Sequence, residues 1–69
     1  MEPETHNVMS QFSINELCAC ARREVAQRKK VYPRLVANGM MELSEAQRQI
    51  AMMEAITDNL ETQQQPRLF

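Results

Sequence analysis

Val36-Ala37-Asn38-Gly39-Met40-Met41-Glu42-Leu43-Ser44-Glu45-Ala46-Gln47 is the stretch that decides how this chain folds. Asn38-Gly39 contains the only glycine, the residue that enters positive φ without steric cost, and such a pair usually ends a helix. Just beyond it, Ser44-Glu45-Ala46-Gln47 has the form of a capping box, in which a Ser and a Glu or Gln three residues on each satisfy a free N–H at a helix start. Ser13-Ile14-Asn15-Glu16 has the same form earlier in the chain. Two helix starts on either side of one helix stop spell a helical hairpin. Helix one is expected over about 14–38 and helix two over about 45–62, and no internal repeat or strand signal competes with them.

The apolar spacing agrees. Ile14, Leu17, Cys18, Ala21, Val25, Tyr32, Leu35 and Val36 recur at threes, fours and a seven, one stripe at about 100° per residue. Ala46, Ile50, Met53, Thr57 and Leu60 alternate fours and threes, the seam of an antiparallel helix pair. Met52 and Ile56 widen that second stripe beyond what one neighbouring helix covers, so helix two is expected to touch another chain as well. Pro33 removes one helical hydrogen bond and disfavours helical geometry at Tyr32. A kink is therefore expected there, with helix one in two pieces, a long one ending near Val31 and a short one from Pro33.

Sixty-nine residues bound the rest. Below roughly 70–80 residues one core rarely supplies more than about 3–5 kcal/mol, so a staple is needed. Cys18 and Cys20 do not provide it, because an i, i+2 pair on a helix points to opposite sides and cannot bridge. They are read as reduced thiols of a cytosolic protein. Neither has a ligand neighbour for zinc, and His6 stands apart, so no metal or cofactor is expected. Self-association is the remaining staple. The expected fold is all-α, a helical hairpin that pairs with a second copy into a homodimeric four-helix arrangement. Ile14, Leu17, Ala21, Val25, Leu35, Ile50, Met53, Ile56 and Leu60 are its expected core and dimer residues.

Outside the hairpin (13–62), residues 1–12 are polar, acidic and aperiodic, and read as a flexible arm without the basic start and apolar run of a secretory signal. Met9 could be an internal start. Gln63-Gln64-Gln65-Pro66 closes the pattern and opens a tail over 63–69. No stretch approaches the ~20 apolar residues of a membrane span.

A net charge of −1 hides a strong asymmetry. From Ile14 to Val36 six basic residues face two acidic ones, leaving helix one at +4. From Ser44 to Thr62 four acidic residues face Arg48 alone, leaving helix two at −3. One reading is that the two helices complement each other within the hairpin and across a dimer. The other is a cationic face for an acidic protein groove or for phosphates. Arg23, Lys30 and Arg34 lie opposite the apolar stripe, too far round to reach helix two, and are the candidates for an outside partner. Tyr32, beside Pro33, is either core or an aromatic anchor next to that basic face. Arg28 falls inside the apolar stripe, where an unpaired charge is costly. A structural ion pair with Glu24, one turn before, or with Glu54 or Asp58 of helix two is expected. Met40, Met41, Met52 and Met53 would suit either an ordinary core or an adaptable contact surface.

Catalysis finds no support: there is no helical His, no Gly-rich phosphate loop and no room for an enclosed pocket. A helix-turn-helix reading would push an acidic second helix into the major groove without a supporting third helix, so a small DNA-binding regulator is the lesser reading.

Arg23-Glu24-Val25-Ala26-Gln27-Arg28-Lys29-Lys30-Val31-Tyr32-Pro33-Arg34-Leu35-Val36, then Gly39-Met40, then Met53-Glu54-Ala55-Ile56, resembles a family of very small phage and prophage early proteins. Their shared pattern is R-E-V-x-x-R-x-x-V-Y-P-x-x-V, a Gly-Met turn and an A-x-x-x-I-x-x-M-E-A-I helix. The likeness spans about Ile14 to Leu60, and Cys18-Ala19-Cys20 departs from it. In length, helical content and charge layout the chain is also similar to the quorum-sensing anti-activators of Mu-like Pseudomonas phages. That resemblance implies an inhibitor in the host bacterial cytoplasm. Its targets would be a LuxR/LasR-type transcription regulator, whose DNA binding it blocks, and the type IV pilus assembly ATPase. Inhibition of a host defence system is a further alternative.

Overall fold

The computed structural model describes residues 11–64, and within them the chain is two α-helices packed against each other, α1 (Ile14–Ala37) and α2 (Leu43–Gln64). The first capping box is formed in full. The Ser13 hydroxyl accepts from the Glu16 N–H at 3.0 Å, and the Glu16 carboxylate accepts from the Ser13 N–H at 3.0 Å. Each partner thus satisfies a backbone donor of the first turn, which has no intrahelical acceptor.

The helix stop also reads as written. Asn38 caps α1 and Gly39 follows at φ +77°. The Met40 N–H donates to the Leu35 carbonyl at 2.9 Å and the Gly39 N–H to the Val36 carbonyl at 3.0 Å. This crossed pair is the Schellman pattern, which satisfies the last carbonyls through one left-handed residue.

Two local expectations are corrected. The second helix starts at Leu43, not at 45, and runs to Gln64, past 62. The Glu42 carbonyl already accepts the Ala46 N–H at 2.9 Å, so Ser44 lies within the first turn instead of capping it. Once the Schellman turn has reversed the chain, Met41 and Glu42 suffice to reach α2, and helix forms as soon as geometry allows. The expected break at Pro33 is absent too, since α1 runs through it as one helix. Proline's fixed φ is itself helical, and its cost is the missing donor to the Lys29 carbonyl. Pro33 and Lys29 are both exposed, so water can serve that carbonyl.

The core is thin. Cys18 is fully buried, Ala21 and Ala46 nearly so, and Thr57 completes the set. All four are small, which lets the helix backbones approach closely. Thr57 is not left unsatisfied, because its hydroxyl donates to the Met53 carbonyl one turn back at 2.8 Å. Ile14, Leu17, Val25, Leu35, Ile50, Met53 and Leu60 are half-buried, while Ile56 is 50% and Met52 41% exposed. The stripes chosen from spacing do face the interhelical seam, but one hairpin covers only part of them. The expected arm lies mostly outside the described residues. Of the expected tail, Gln63 and Gln64 belong to α2, and 65–69 lie outside.

Candidate functional site: two opposed faces

The seam between α1 and α2 has two sides. At about 100° per residue, Gln47 and Ile56 project about 180° apart on α2, and Cys20 and Pro33 about 140° apart on α1. Cys20 and Ile56 line one groove and Pro33 and Gln47 the other, so the grooves open on opposite faces.

The first groove lies toward the chain ends, with a volume of about 360 Å³, lined by Leu17, Cys20, Ala21, Glu24, Met53, Ile56 and Leu60. Glu24 is its one charged residue. Arg28 continues this face. Its Nε donates to the Glu24 carboxylate at 2.8 Å, and a terminal nitrogen donates to the Gln49 backbone carbonyl of α2 at 2.9 Å. The guanidinium carbon also sits 5.9 Å from the centre of the Tyr32 ring, within cation–π range. The Glu24 hydrogen bond raises the Arg28 pKa above its usual value, and partial desolvation opposes this. Arg28 is therefore the guanidinium inside the apolar stripe, neutralised by Glu24 and fastened to the other helix. Glu54 takes no part in it. That expectation is corrected, because Glu54 pairs with Lys29 at 2.8 Å on the opposite face. Glu54 and Ile56 are two positions apart on α2 and so project to different sides.

The opposite face is polar near the chain ends and apolar near the turn. In its polar half, Arg22 pairs with Glu61 at 2.6 Å and donates to Gln64 at 3.2 Å. Gln64 in turn donates to Asn15 at 2.8 Å. These cross-helix contacts are well exposed, and each such pair contributes at most about 1 kcal/mol. They fix the register of the two helices more than they stabilise them. Sequence reading did not single out Asn15 or Gln64. No local pattern marks two neutral residues that meet only when the hairpin closes.

In the half near the turn, Tyr32, Pro33, Val36, Leu43, Ala46, Gln47 and Ile50 line a groove of about 280 Å³. Leu43 is 60% and Met40 74% exposed at this end. Tyr32 is thus part of the interhelical seam. It does not stand beside the outward basic face, which corrects the grouping of Tyr32 with Arg23, Lys30 and Arg34. On the helix wheel Tyr32 projects about 160° from Lys30 and from Arg34.

Arg23, Lys30 and Arg34 are all exposed on the outward side of α1. Among the described residues none has an acidic group within ion-pair distance, whereas Arg22, Arg28 and Lys29 each do. The charge asymmetry therefore divides. Half of the six cations serve the hairpin and half face outward. Also among the described residues, no cluster of three His, Cys, Asp or Glu could hold a metal, and no helix is long and apolar enough to cross a membrane. No protein family, curated protein or solved structure matches this chain.

Proposed function

We propose that this chain is a non-enzymatic protein–protein inhibitor, working as a homodimer that occupies the surface of a host protein. Two copies associate through the apolar face that carries Leu17, Met53, Ile56 and Leu60, giving a four-helix arrangement. The outward cations Arg23, Lys30 and Arg34 then meet an acidic patch on the target. One observation carries the reading: these three cations have no acidic partner among the described residues, while their neighbours on the same helix do. Exposed, unpaired charges of one sign steer association with a surface of the other. The similarity in length, helical content and charge layout to the quorum-sensing anti-activators of Mu-like Pseudomonas phages suggests the target class, a LuxR/LasR-type transcription regulator whose DNA binding is blocked, with the type IV pilus assembly ATPase as a second target.

The test uses a purified LuxR-type regulator on its own operator in a gel shift, with and without this protein. Release of the regulator from DNA by the wild type, but not by Arg23→Glu or Lys30→Glu, supports the reading, provided both variants keep wild-type mass and helicity. No release, together with no complex with the regulator or the pilus ATPase in sedimentation, refutes the target assignment. Sequence-selective binding of DNA by the protein itself would favour the small-regulator alternative.

A further inference from the structure

Six positions of α1 share the face that carries the first groove: Leu17, Ala21, Glu24, Arg28, Val31 and Leu35. They fall within an arc of about 80°, at about 100° per residue. Their spacings run four, three, four, three, four, the heptad alternation of a coiled-coil seam, and this order reads the same from either end. Its midpoint lies at Ala26, with Glu24 and Arg28 equally far on either side, and Leu17 and Leu35 likewise. Leu17, Val31 and Leu35 are half-buried in the hairpin, and Ala21 lies deeper, against α2. The Glu24 and Arg28 side chains are still 47% and 21% exposed, so both charges keep surface for a further contact.

α2 is symmetric about the same level. Arg22 pairs with Glu61 and Lys29 with Glu54, which sets Ala26 of α1 level with the turn of α2 that holds Ile56 and Thr57. Ile56 stands on the groove side of that turn, with Met53 one turn before it and Leu60 one turn after.

We infer that two copies pair face to face about a twofold axis that crosses both helices at this level, so that each helix lies antiparallel on its own counterpart. This rests on the pairing of copies proposed above and adds its register. Leu17 packs on the partner's Leu35, Ala21 receives the partner's Val31, and Glu24 meets the partner's Arg28. On α2, Ile56 faces the partner's Ile56, and Met53 the partner's Leu60. Reversing the seam exchanges Glu24 with Arg28, so the face offers its own copy the opposite charge at both central positions. That self-complementarity names a second copy of this chain as the occupant.

The same charges exclude the other twofold stacking, in which the axis runs along the helices and α1 lies on α2 of the second copy. Glu24 and Arg28 would there press against the partner's Leu60, the partner's Ile56 and the partner's Met53, losing water and gaining no counter-charge. With the axis across the helices, the Glu24–Arg28 pair, held at 2.8 Å within each copy, meets its own reverse and four alternating charges close a ring. A polar pair at the centre of an apolar seam fixes register in this way, at some cost in stability.

The experiment is sedimentation velocity of the full chain as wild type, as Glu24→Arg, as Arg28→Glu and as an equimolar mixture of the two variants. Circular dichroism on each sample reads folding. Each variant alone should dimerise at least about tenfold more weakly than the wild type, since like charges then meet at the axis. The mixture should recover the dimer, because each reversed charge faces its opposite in the other chain. Ile56→Cys in a Cys20→Ser background is a second reading that leaves the charges intact. Under mild oxidation it should link the dimer covalently, because Ile56 lies beside the axis. In the other stacking the two copies of this position stand on the bundle diagonal, beyond the roughly 3.5–4.5 Å between Cβ atoms that a disulfide spans. Where a charge variant has lost helicity, the cross-link alone decides. A wild-type dimer whose variant mixture associates no better than the separate variants, or whose Ile56→Cys form does not cross-link, overturns this register and leaves the docking function standing. A wild-type monomer at micromolar concentration removes the pairing itself, and the register with it.

Discussion

Replacing Ile56 by Ala tests the proposed pairing of two copies through the apolar face. Ile56 is 50% exposed in the single hairpin, so about half of its side chain is covered and half is open to solvent. Fully burying an isoleucine is worth about 1.5–3 kcal/mol, so covering the remaining half contributes about 1 kcal/mol per copy. A twofold interface uses each residue twice, which brings the loss to about 2 kcal/mol per dimer. At 1.4 kcal/mol per factor of ten, the dissociation constant rises about thirtyfold. Ile56→Asp adds the desolvation of a charge and should yield monomer at every practical concentration. Met53→Asp should also yield monomer, with greater loss of helicity, and Ile50→Asp, on the opposite face, should do so only through loss of the hairpin, since both side chains are half-buried within it. Sedimentation velocity over a concentration series, with circular dichroism on the same samples, measures both effects. Leu43→Ala is the control, exposed to a similar degree on the opposite face. The reasoning fails if the wild type sediments as a stable monomer at micromolar concentration, or if Leu43→Ala weakens association as much as Ile56→Ala does.

Two further predictions concern the hairpin itself. Ser13→Ala removes the hydroxyl that accepts the Glu16 N–H in the capping box and should cost about 1 kcal/mol, read as a lower midpoint in urea with an unchanged slope; an unchanged midpoint would mean that the first turn frays in solution. Arg28→Lys should lower the melting temperature although charge is conserved, because a single ammonium cannot reproduce the planar reach to both Glu24 and the Gln49 carbonyl. The Arg28 pKa is raised in the folded state, so its stabilising effect is complete below the unfolded pKa and is lost only at strongly alkaline pH. The gap between the wild type and the Arg28→Lys variant should accordingly stay constant across the neutral range, and a gap that closes there would point to a different group.

The sequence by itself determined the features that depend on neighbours along the chain. Ser13 with Glu16, and Asn38 with Gly39, read correctly because capping is settled within four or five residues. The two stripes read correctly because helical periodicity assigns faces without knowing what lies opposite. The Glu24–Arg28 contact, one turn apart, was legible for the same reason. Local reading failed where two local solutions compete. Ser44 could cap α2, but Glu42 placed the helix start earlier, and Pro33 could have broken α1, but water access to the Lys29 carbonyl makes the lost bond tolerable.

Everything that depends on which side of the seam a residue occupies was decided by the tertiary structure. Glu54 could have reached Arg28 by charge alone, yet the angle at which α2 presents it gives it to Lys29. Asn15 and Gln64 carry no signal until the hairpin closes and brings them within hydrogen-bond reach. Tyr32 is a different case, since its own helix already set it about 160° from Lys30 and Arg34, and the unbroken α1 keeps it there. The physical reason is common to the cross-helix contacts. Periodicity fixes a residue's angle about its own helix, whereas partners are set by the position and rotation of one helix against the other. Here small residues in the core, Cys18, Ala21, Ala46 and Thr57, fix that relation.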